Sequence, residues 1–485
     1  MKLENPNLFR NACFVAGQWL QSLDGRTMEV VNPATGQTLG RVPLAGRPEA
    51  AMAVAAAYQA WGPWKGLTAA VRAGHIRKWR DLIIANTRDL SVILTQEQGK
   101  PLAEARREIN QGCSYLAWYA EECRRAYGKV VPPNAPGRRC LTMLQSVGVV
   151  GVITPWNNPF SMILRKAAPA LAAGCTLVVK PAPQTPYSAL ALGALAEAAG
   201  LPAGVFNVVT GDAEDIGAEL TGDPRVRKLS FTGSTAVGKL LMAQCAATVK
   251  KVSLELGGNA PLIVFEDADL DMAAAGALGC KFRNSGQACV CANRILVQEG
   301  VFAAFMDKLT AMVKNLRLGN GLEIETTQGP LIDEAAVAKV QELVDDALAK
   351  GAKAVTGGRR STLGGWFFEP TVLVGVTQDM RVFREEIFGP VAPVVKFATE
   401  EQAVELANDT AYGLASYLYT RDLGRTWRVS EALEYGLVGV NETALASAEI
   451  PFGGIKESGL GREGGVEGLL DYMETKYILM GGMGE

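Results

Sequence analysis

Cys289 stands in the run Phe282-Arg283-Asn284-Ser285-Gly286-Gln287-Ala288-Cys289-Val290-Cys291, and Glu255 lies upstream in Leu254-Glu255-Leu256-Gly257-Gly258. A thiol attacks as its thiolate, with an ordinary pKa of about 8.5 that a helix N-terminus or a nearby cation lowers. Gly286 and the short polar residues around it let backbone pack tightly beside such a sulfur. Glu255 ends an apolar strand-like run and precedes two glycines, which puts it at the carboxyl edge of a parallel sheet, where open α/β folds bind ligands. A carboxylate there can activate water as a general base. Alone, Glu255 would read as a solvated loop residue; beside the Cys289 run, thiol chemistry served by a carboxylate is the stronger reading.

The other chemistry-bearing residues mostly take plainer readings. The chain has one histidine, His75, in an amphipathic stretch rich in Arg and Lys, where a surface role is expected, so Ser-His or Cys-His catalysis lacks a good candidate. Cys13, Cys113, Cys123, Cys140, Cys175, Cys245 and Cys280 read as small buried hydrophobes. The Gly-x-Gly-x-x-Gly match at Gly459, Gly461 and Gly464 follows no strand and lies too near the end of the chain for a βαβ unit, so it is not a dinucleotide fingerprint. Phe231-Thr232-Gly233-Ser234-Thr235-Ala236-Val237-Gly238 leaves a strand, turns on glycine and enters a helix whose free amides can meet a pyrophosphate. Asp267-Ala268-Asp269-Leu270-Asp271 imitates a calcium loop, but Met272 and Leu278 occupy the positions that need glycine and a bidentate acid, leaving an acidic helix start. No metal site is expected.

The elements that must position these groups alternate. Strand-like runs at Val147–Ile153, Thr176–Val179, Val205–Val209, Lys228–Phe231 and Val252–Glu255 are separated by helix-like runs at Ser161–Ala173, Ala189–Ala199 and Val237–Gln244, the pattern of a doubly wound parallel sheet. Gly174 and Gly200 fall where helices should end, and Thr185-Pro186 where one should begin. A second α/β block follows from Asn259 to about Val440, with helices at Val301–Leu316 and Glu334–Gly351 and strands at Ile295–Val297, Thr371–Val374 and Val391–Phe397. Ahead of both, Arg47–Tyr58 and Ala69–Gln98 read as helices, and Arg138–Gln145 as an extended arm.

Composition bounds the partners. The 485 residues suffice for about three ordinary domains. The 48 basic residues nearly balance the 50 acidic ones, without a run of like charge, which argues against nucleic acid or a membrane surface and for a small-molecule partner. Nine cysteines at irregular spacings, an odd count without Cys-x-x-Cys, argue against a disulfide framework or structural zinc. The first residues lack the apolar core of a signal peptide and the longest apolar run is broken by Pro169, so a cytoplasmic location is expected.

Together, Phe282 to Cys289, Leu254 to Gly258, Pro155-Trp156-Asn157-Asn158-Pro159, Lys180-Pro181, Phe231 to Gly238 and Glu385-Glu386-Ile387-Phe388-Gly389-Pro390 resemble the NAD(P)-dependent aldehyde dehydrogenase superfamily, nearly end to end and in order. Phe282-Arg283-Asn284, Cys289 to Arg294, Pro451 to Lys456 and Gly459 to Gly464 look most like its bacterial succinate-semialdehyde dehydrogenases. The resemblance implies that Cys289 attacks the aldehyde carbon, that Asn157 and the Cys289 amide hold the oxyanion, and that Glu255 activates the hydrolytic water. Lys166 and Glu463 match positions of a proton relay. NAD or NADP is the implied cofactor, with Lys180 and Glu386 at the ribose, Ser234 at the pyrophosphate, Trp156 and Phe388 flanking the nicotinamide half, Gly233 and Gly238 framing the turn, and Thr154, Pro155 and Leu256 lining the site. Pro183 stands where many NAD-preferring members carry an acid, so the choice between NAD and NADP stays open.

The resemblance also implies that Arg165 and Arg283 clamp the far carboxylate of a semialdehyde, a task suited to the planar guanidinium. Two positions depart from the pattern: Asn158 replaces an aromatic, and Ala446 replaces a serine that touches the carboxylate, with Ser447 next to it. A longer or more polar semialdehyde, such as glutarate semialdehyde, is therefore an alternative, as is a neutral aldehyde. Cys291 resembles a partner for a reversible disulfide with Cys289, with an idle neighbouring thiol as the equal alternative.

The implied fold is α/β: a Rossmann-like cofactor-binding domain (1–127 and 147–258), an α/β catalytic domain (259–457) and a small β oligomerisation arm (128–146 and 472–485), assembled as a homodimer or homotetramer. Two rivals remain: an acylating enzyme that passes the thioester to coenzyme A, and a catalytically idle binding or structural protein on the same fold.

Overall fold

The computed structural model describes residues 2–482. The expected alternation produces two mixed α/β sheets. In the first, the spatial order is Gln18–Leu20, Cys13–Val15, Phe206–Val208, Thr176–Lys180, Val149–Ile153, Val226–Thr232, Lys251–Glu255 and Gly459–Leu460. Its five central strands are parallel, and numbered along the chain they run 3-2-1-4-5. The order reverses between Val149–Ile153 and Val226–Thr232, the switch point at which doubly wound sheets open a crevice. Both edges differ from the all-parallel expectation: Cys13–Val15 and Gly459–Leu460 pair antiparallel. They come from distant parts of the chain and need no crossover helix to reach the sheet.

Strand Thr176–Lys180 is buried along its whole length, because helices cover both faces of a parallel sheet and its strands therefore read as continuous apolar runs. Each fully buried Val or Leu there contributes about 1.5–3 kcal/mol. Helix Ser161–Ala173 ends on Gly174 at φ 90°, and helix Pro186–Ala198 begins with proline in its first turn, as the punctuation requires. The stretch expected as one helix over 69–98 is two, Ala69–Ala85 and Thr87–Gln98. Asn86 breaks it, since its Nδ2 donates to Leu82 O at 2.8 Å while its backbone leaves helical geometry.

The second sheet runs Lys353–Thr356, Thr371–Val374, Val391–Phe397, Ala292–Gln298, Ala260–Val264, Ala415–Tyr419 and Leu437–Val440, antiparallel only at its first pair. Residues 256–259 step directly from Glu255 into it, so the two sheets meet where the first ends. A separate three-stranded sheet joins Lys129–Val131, Arg139–Ser146 and Met473–Met480. Residues 483–485 of the expected arm lie outside the described residues. No helix among the described residues is long and apolar enough to cross a membrane.

Candidate active site

Helix Leu270–Phe282 starts on Asp269, whose carboxylate caps the amides of Asp271 and Met272, as the acidic-start reading expects. It ends in the tight turn Arg283–Gly286, where Asn284, Ser285 and Gly286 have φ of 50°, 55° and 75°. Side chains in such conformations cost on the order of 1–3 kcal/mol each and persist only when their surroundings hold them. Here Ser285 Oγ donates to Gly329 O at 2.7 Å, and Asn284 Nδ2 to Asn157 O at 3.0 Å. Gln287 is buried; its Nε2 donates to Asn284 O at 3.1 Å and its Oε1 accepts from the Ile332 amide at 2.9 Å. The Asn-Ser-Gly-Gln run is thus the scaffold of a turn that delivers Cys289 half-buried, while every other cysteine is buried.

The second motif reaches the same place through its glycines. A Cβ on Gly258 would lie 2.4 Å from Cys289 O, and one on Gly286 2.1 Å from Gly389 O. Glycine at 258 therefore lets the Leu254–Gly258 segment lie directly against the cysteine's backbone, and glycine at 286 lets the turn lie against the Glu385–Pro390 segment.

Cys289 opens into a cleft with about 930 Å³ of free space, lined among others by Trp156, Asn157, Gly233, Ser234 and Glu386. The cleft sits at the switch point of the first sheet and also takes in Pro155, Thr232, Leu256, Gly257, Ile387 and Phe388. Asn157 is buried and donates one Nδ2 hydrogen to Gln287 O at 2.9 Å. Its second amide hydrogen is free for an oxyanion formed at the sulfur.

The residues of this cleft suit a dinucleotide. Ser234 caps helix Thr235–Ala246, leaving first-turn amides beside Gly233 as an anion-binding end. Gly233 and Gly238 keep the approach open, since a Cβ would meet the Phe231 ring at 2.4 Å or Leu256 at 2.3 Å. Thr232 Oγ1 and Thr154 Oγ1 are buried without partners. Glu386 Oε1 accepts from Gly258 N at 3.0 Å, and burial pushes its carboxyl up to about 7. Trp156 and Phe388 meet edge to face, centroids 5.5 Å apart. Lys180 ends its strand, buried but outside the cleft wall, and burial lowers its amine to about 8. Pro183 is exposed just beyond it.

Behind the cysteine lies a buried charge cluster. Glu255 closes strand Lys251–Glu255 opposite Thr232, and its Oε2 is buried without a partner. Burial, reinforced by the charge of Glu463, raises its carboxyl well above the usual range against the pull of Arg165 and Lys166. Glu463 goes the other way: against the effect of burial, Lys166 and Arg165 lower its carboxyl. Lys166 Nζ donates to Glu463 Oε1, and Arg165 Nε lies 3.0 Å from Glu463 Oε2. Removing one partner of such a buried pair costs about 3–5 kcal/mol. Cys289 feels this cluster, although burial dominates in pushing its thiol up to about 12, with Glu386 and Glu255 adding and Arg165 opposing.

The remaining expected residues do not converge on the cleft wall. Arg165 is buried, its guanidinium 3.7 Å from the Phe452 ring centroid. Its Nη2 has no hydrogen-bond partner. Arg283 opens onto a different hollow with Glu104 and Arg107. Ser447 Oγ donates to Glu449. Cys291 is buried and donates to Cys280 O at 3.0 Å, turned toward the end of its helix. His75 is half-buried against Trp64. Among the described residues no group of three His, Cys, Asp or Glu could hold a metal. Sequence reasoning missed Lys339, which lines the cleft and donates to Glu386 O at 2.7 Å, and Lys100, which donates to Asn157 O at 2.8 Å. Both come from helices or linkers far along the chain, and only buried or cleft-facing lysine would have signalled them.

Comparison with known proteins converges on one family. The profile described as "Aldehyde dehydrogenase family" matches residues 19–478. The chain is 57% identical over 483 residues to a 3-sulfolactaldehyde dehydrogenase of Pseudomonas putida, covering all of this chain and 99% of that protein. It is 56% identical to a glutarate-semialdehyde dehydrogenase of Pseudomonas aeruginosa, covering 100% of both chains. The crystal structure of a succinate-semialdehyde dehydrogenase from Burkholderia pseudomallei superposes with a TM-score of 0.98 at 55% identity, covering 99% of this chain and 100% of that one.

Proposed function

Since this chain belongs to the aldehyde dehydrogenase family, we propose that it oxidises an aldehyde bearing an anionic far end, succinate semialdehyde in the first instance, to the carboxylic acid with NAD(P)+ as oxidant. The observation that carries the reading is Cys289, half-buried in a switch-point cleft whose wall also holds Asn157, with one of its amide hydrogens given to Gln287 O and the other left over. Cys289 Sγ bonds to the aldehyde carbon as its proton passes to solvent in the cleft, and the new oxyanion accepts hydrogen bonds from Asn157 Nδ2 and the Cys289 amide. A bound dinucleotide would supply the hydride acceptor by which the thiohemiacetal on Cys289 becomes a thioester. Glu255 then takes a proton from the water that attacks the thioester carbon and gives it to the departing sulfur, restoring the thiol and releasing the acid, whose ionisable proton Lys166 and Glu463 pass outward. Burial raises the Glu255 carboxyl above the usual range, which makes its carboxylate a stronger proton acceptor than a solvated one.

Lys180 and Glu386 would hold the ribose, Ser234 and the Gly233 turn the pyrophosphate, and Trp156 with Phe388 the nicotinamide half. With Pro183 in place of an acid, nothing at that position repels a 2′-phosphate, which supports use of either dinucleotide.

We assign Arg165, through its unpartnered Nη2, to the anionic end of the substrate; Arg283, which borders a separate hollow, is the second arm of the clamp that the resemblance implies and reaches that end only by turning from the hollow. Glutarate semialdehyde is the second reading, favoured by Ala446, which lacks a hydroxyl, and by the identity to glutarate-semialdehyde dehydrogenases. Steady-state assays of succinate, glutarate and neutral aldehydes with each cofactor test both readings. Arg165→Ala or Arg283→Ala should raise KM for the carboxylate-bearing aldehydes far more than for a neutral one of equal size. An equal effect on all of them would sink the anionic-substrate assignment.

Residues 1–127 with 147–258 form the cofactor-binding part, 259–457 the catalytic part, and 128–146 with 472–485 the oligomerisation arm of a homodimer or homotetramer. The free-standing three-stranded sheet supports the last assignment. A disulfide between Cys289 and Cys291 would require Cys291 to leave the Cys280 carbonyl.

A further inference from the structure

We infer that the buried Lys100–Glu108 pair is the positioning unit of the oxyanion donor, and that Asn158 belongs to it. Neither lysine nor glutamate touches the reacting atoms; both act through Asn157, so the inference rests on the function proposed above.

Lys100 follows helix Thr87–Gln98 across Gly99, at φ 97°, where a Cβ would lie 2.8 Å from Pro330 Cγ. The turn sends its side chain inward, where only 2% of it is exposed, against 3% for Glu108 on helix Leu102–Glu122. An ammonium has three hydrogens. Lys100 Nζ directs them to Glu108 Oε2 at 2.5 Å, Asn157 O at 2.8 Å and Asn158 Oδ1 at 3.0 Å. The other oxygen, Glu108 Oε1, accepts from the amides of Phe160 and Ser161 at 2.9 and 3.1 Å. Those amides open helix Ser161–Ala173, which carries Arg165 and Lys166, and a carboxylate there also meets the positive end of the helix dipole.

One ion pair thus grips both ends of the Asn157–Ser161 loop. Asn157 O is held from one side by Lys100 and from the other by Asn284 of the cysteine turn, while Asn157 Nδ2 is tied to Gln287 O. The remaining Asn157 amide hydrogen can then point in one direction only. Asn158, at the position where the resembling family carries an aromatic, supplies the third acceptor that completes the lysine's shell. An aromatic side chain cannot provide it.

The test is the first turnover, followed by rapid mixing of cofactor-loaded protein with excess succinate semialdehyde. Amplitude counts competent sites, and the rate constant reports the steps through hydride transfer. Lys100→Met should lower the rate constant about tenfold to a hundredfold, with amplitude and cofactor dissociation constant within about twofold of the parent; Lys100→Arg should recover part of the loss. Asn158→Ala, which removes one acceptor and leaves the ion pair, should slow the same step severalfold without moving the melting temperature. A fall in amplitude at unchanged rate constant would assign the pair to folding alone and overturn the inference. Unchanged kinetics in Asn158→Ala would remove Asn158 from the unit. If the parent turns over and both variants match it, this inference fails by itself; if the parent reduces no cofactor with any aldehyde, the proposed function falls with it.

Discussion

At the scale of single residues, the site is a contest between burial and charge. Burial holds Cys289 as a thiol and Glu255 above the ordinary carboxylate range, while Lys166 and Arg165 keep Glu463 ionised. Two acids in one cluster are thereby pushed in opposite directions, which separates the group that binds a proton readily from the one that holds it only in passing. Cys289→Ala should abolish turnover, whereas Glu255→Gln should keep the first hydride transfer and slow acid release, as seen by a burst of reduced cofactor followed by a depressed steady state. Equal loss of both phases would contradict the role given to Glu255. The raised Glu386 carboxyl predicts a pH effect of definite sign. Below about 7 it takes up a proton and loses the charge that the proposed ribose contact uses. The KM for the dinucleotide should therefore rise as pH falls from 8 to 6, by up to about tenfold per unit, and Glu386→Gln should flatten that dependence at a higher KM.

At the scale of elements, the motifs work because backbones touch. The turn Arg283–Gly286 carries positive φ at three consecutive residues and lies against Gly389 without room for a Cβ. Gly286→Ala combines a left-handed backbone with a contact that must open, and should cost about 3 kcal/mol or more. Denaturant titration would show it as a lowered midpoint, and the surviving folded protein should turn over slowly because Cys289 is displaced. Tight backbone packing beside Cys289 was legible in the sequence from Gly286 and its short polar neighbours, and the strand-turn-helix at Phe231–Gly238 from its glycine turn. Lys339 and Lys100 were not, because a lysine in a helix or linker reads as solvated until the fold buries it or aims it into a cleft.

At the scale of the whole molecule, the three-stranded sheet is the feature without an internal explanation. Met473–Met480 pairs along its entire length with Arg139–Ser146, yet Val130, Tyr477 and Leu479 are exposed. A strand ribbon this small is marginal alone, and exposed edges with apolar faces invite pairing. Deletion of residues 473–485 should lower the particle mass measured by light scattering to that of a monomer, with a reduced melting temperature. An unchanged mass would place the oligomer contact elsewhere.

Periodicity and punctuation in the sequence were enough to determine the two α/β blocks, since apolar runs with helix-ending glycines admit few other packings. The paired motifs around Cys289 and Glu255 were likewise enough to point to thiol chemistry. Tertiary structure alone decided that Arg165 pairs with Glu463, that Arg283 faces a separate hollow, that Ser447 turns to Glu449, and that Lys100 stands behind Asn157. Local sequence encodes backbone conformation, which neighbours along the chain control. Which charge meets which depends on contacts between segments up to 298 positions apart, Arg165 to Glu463 among them, and those exist only once the sheets have assembled.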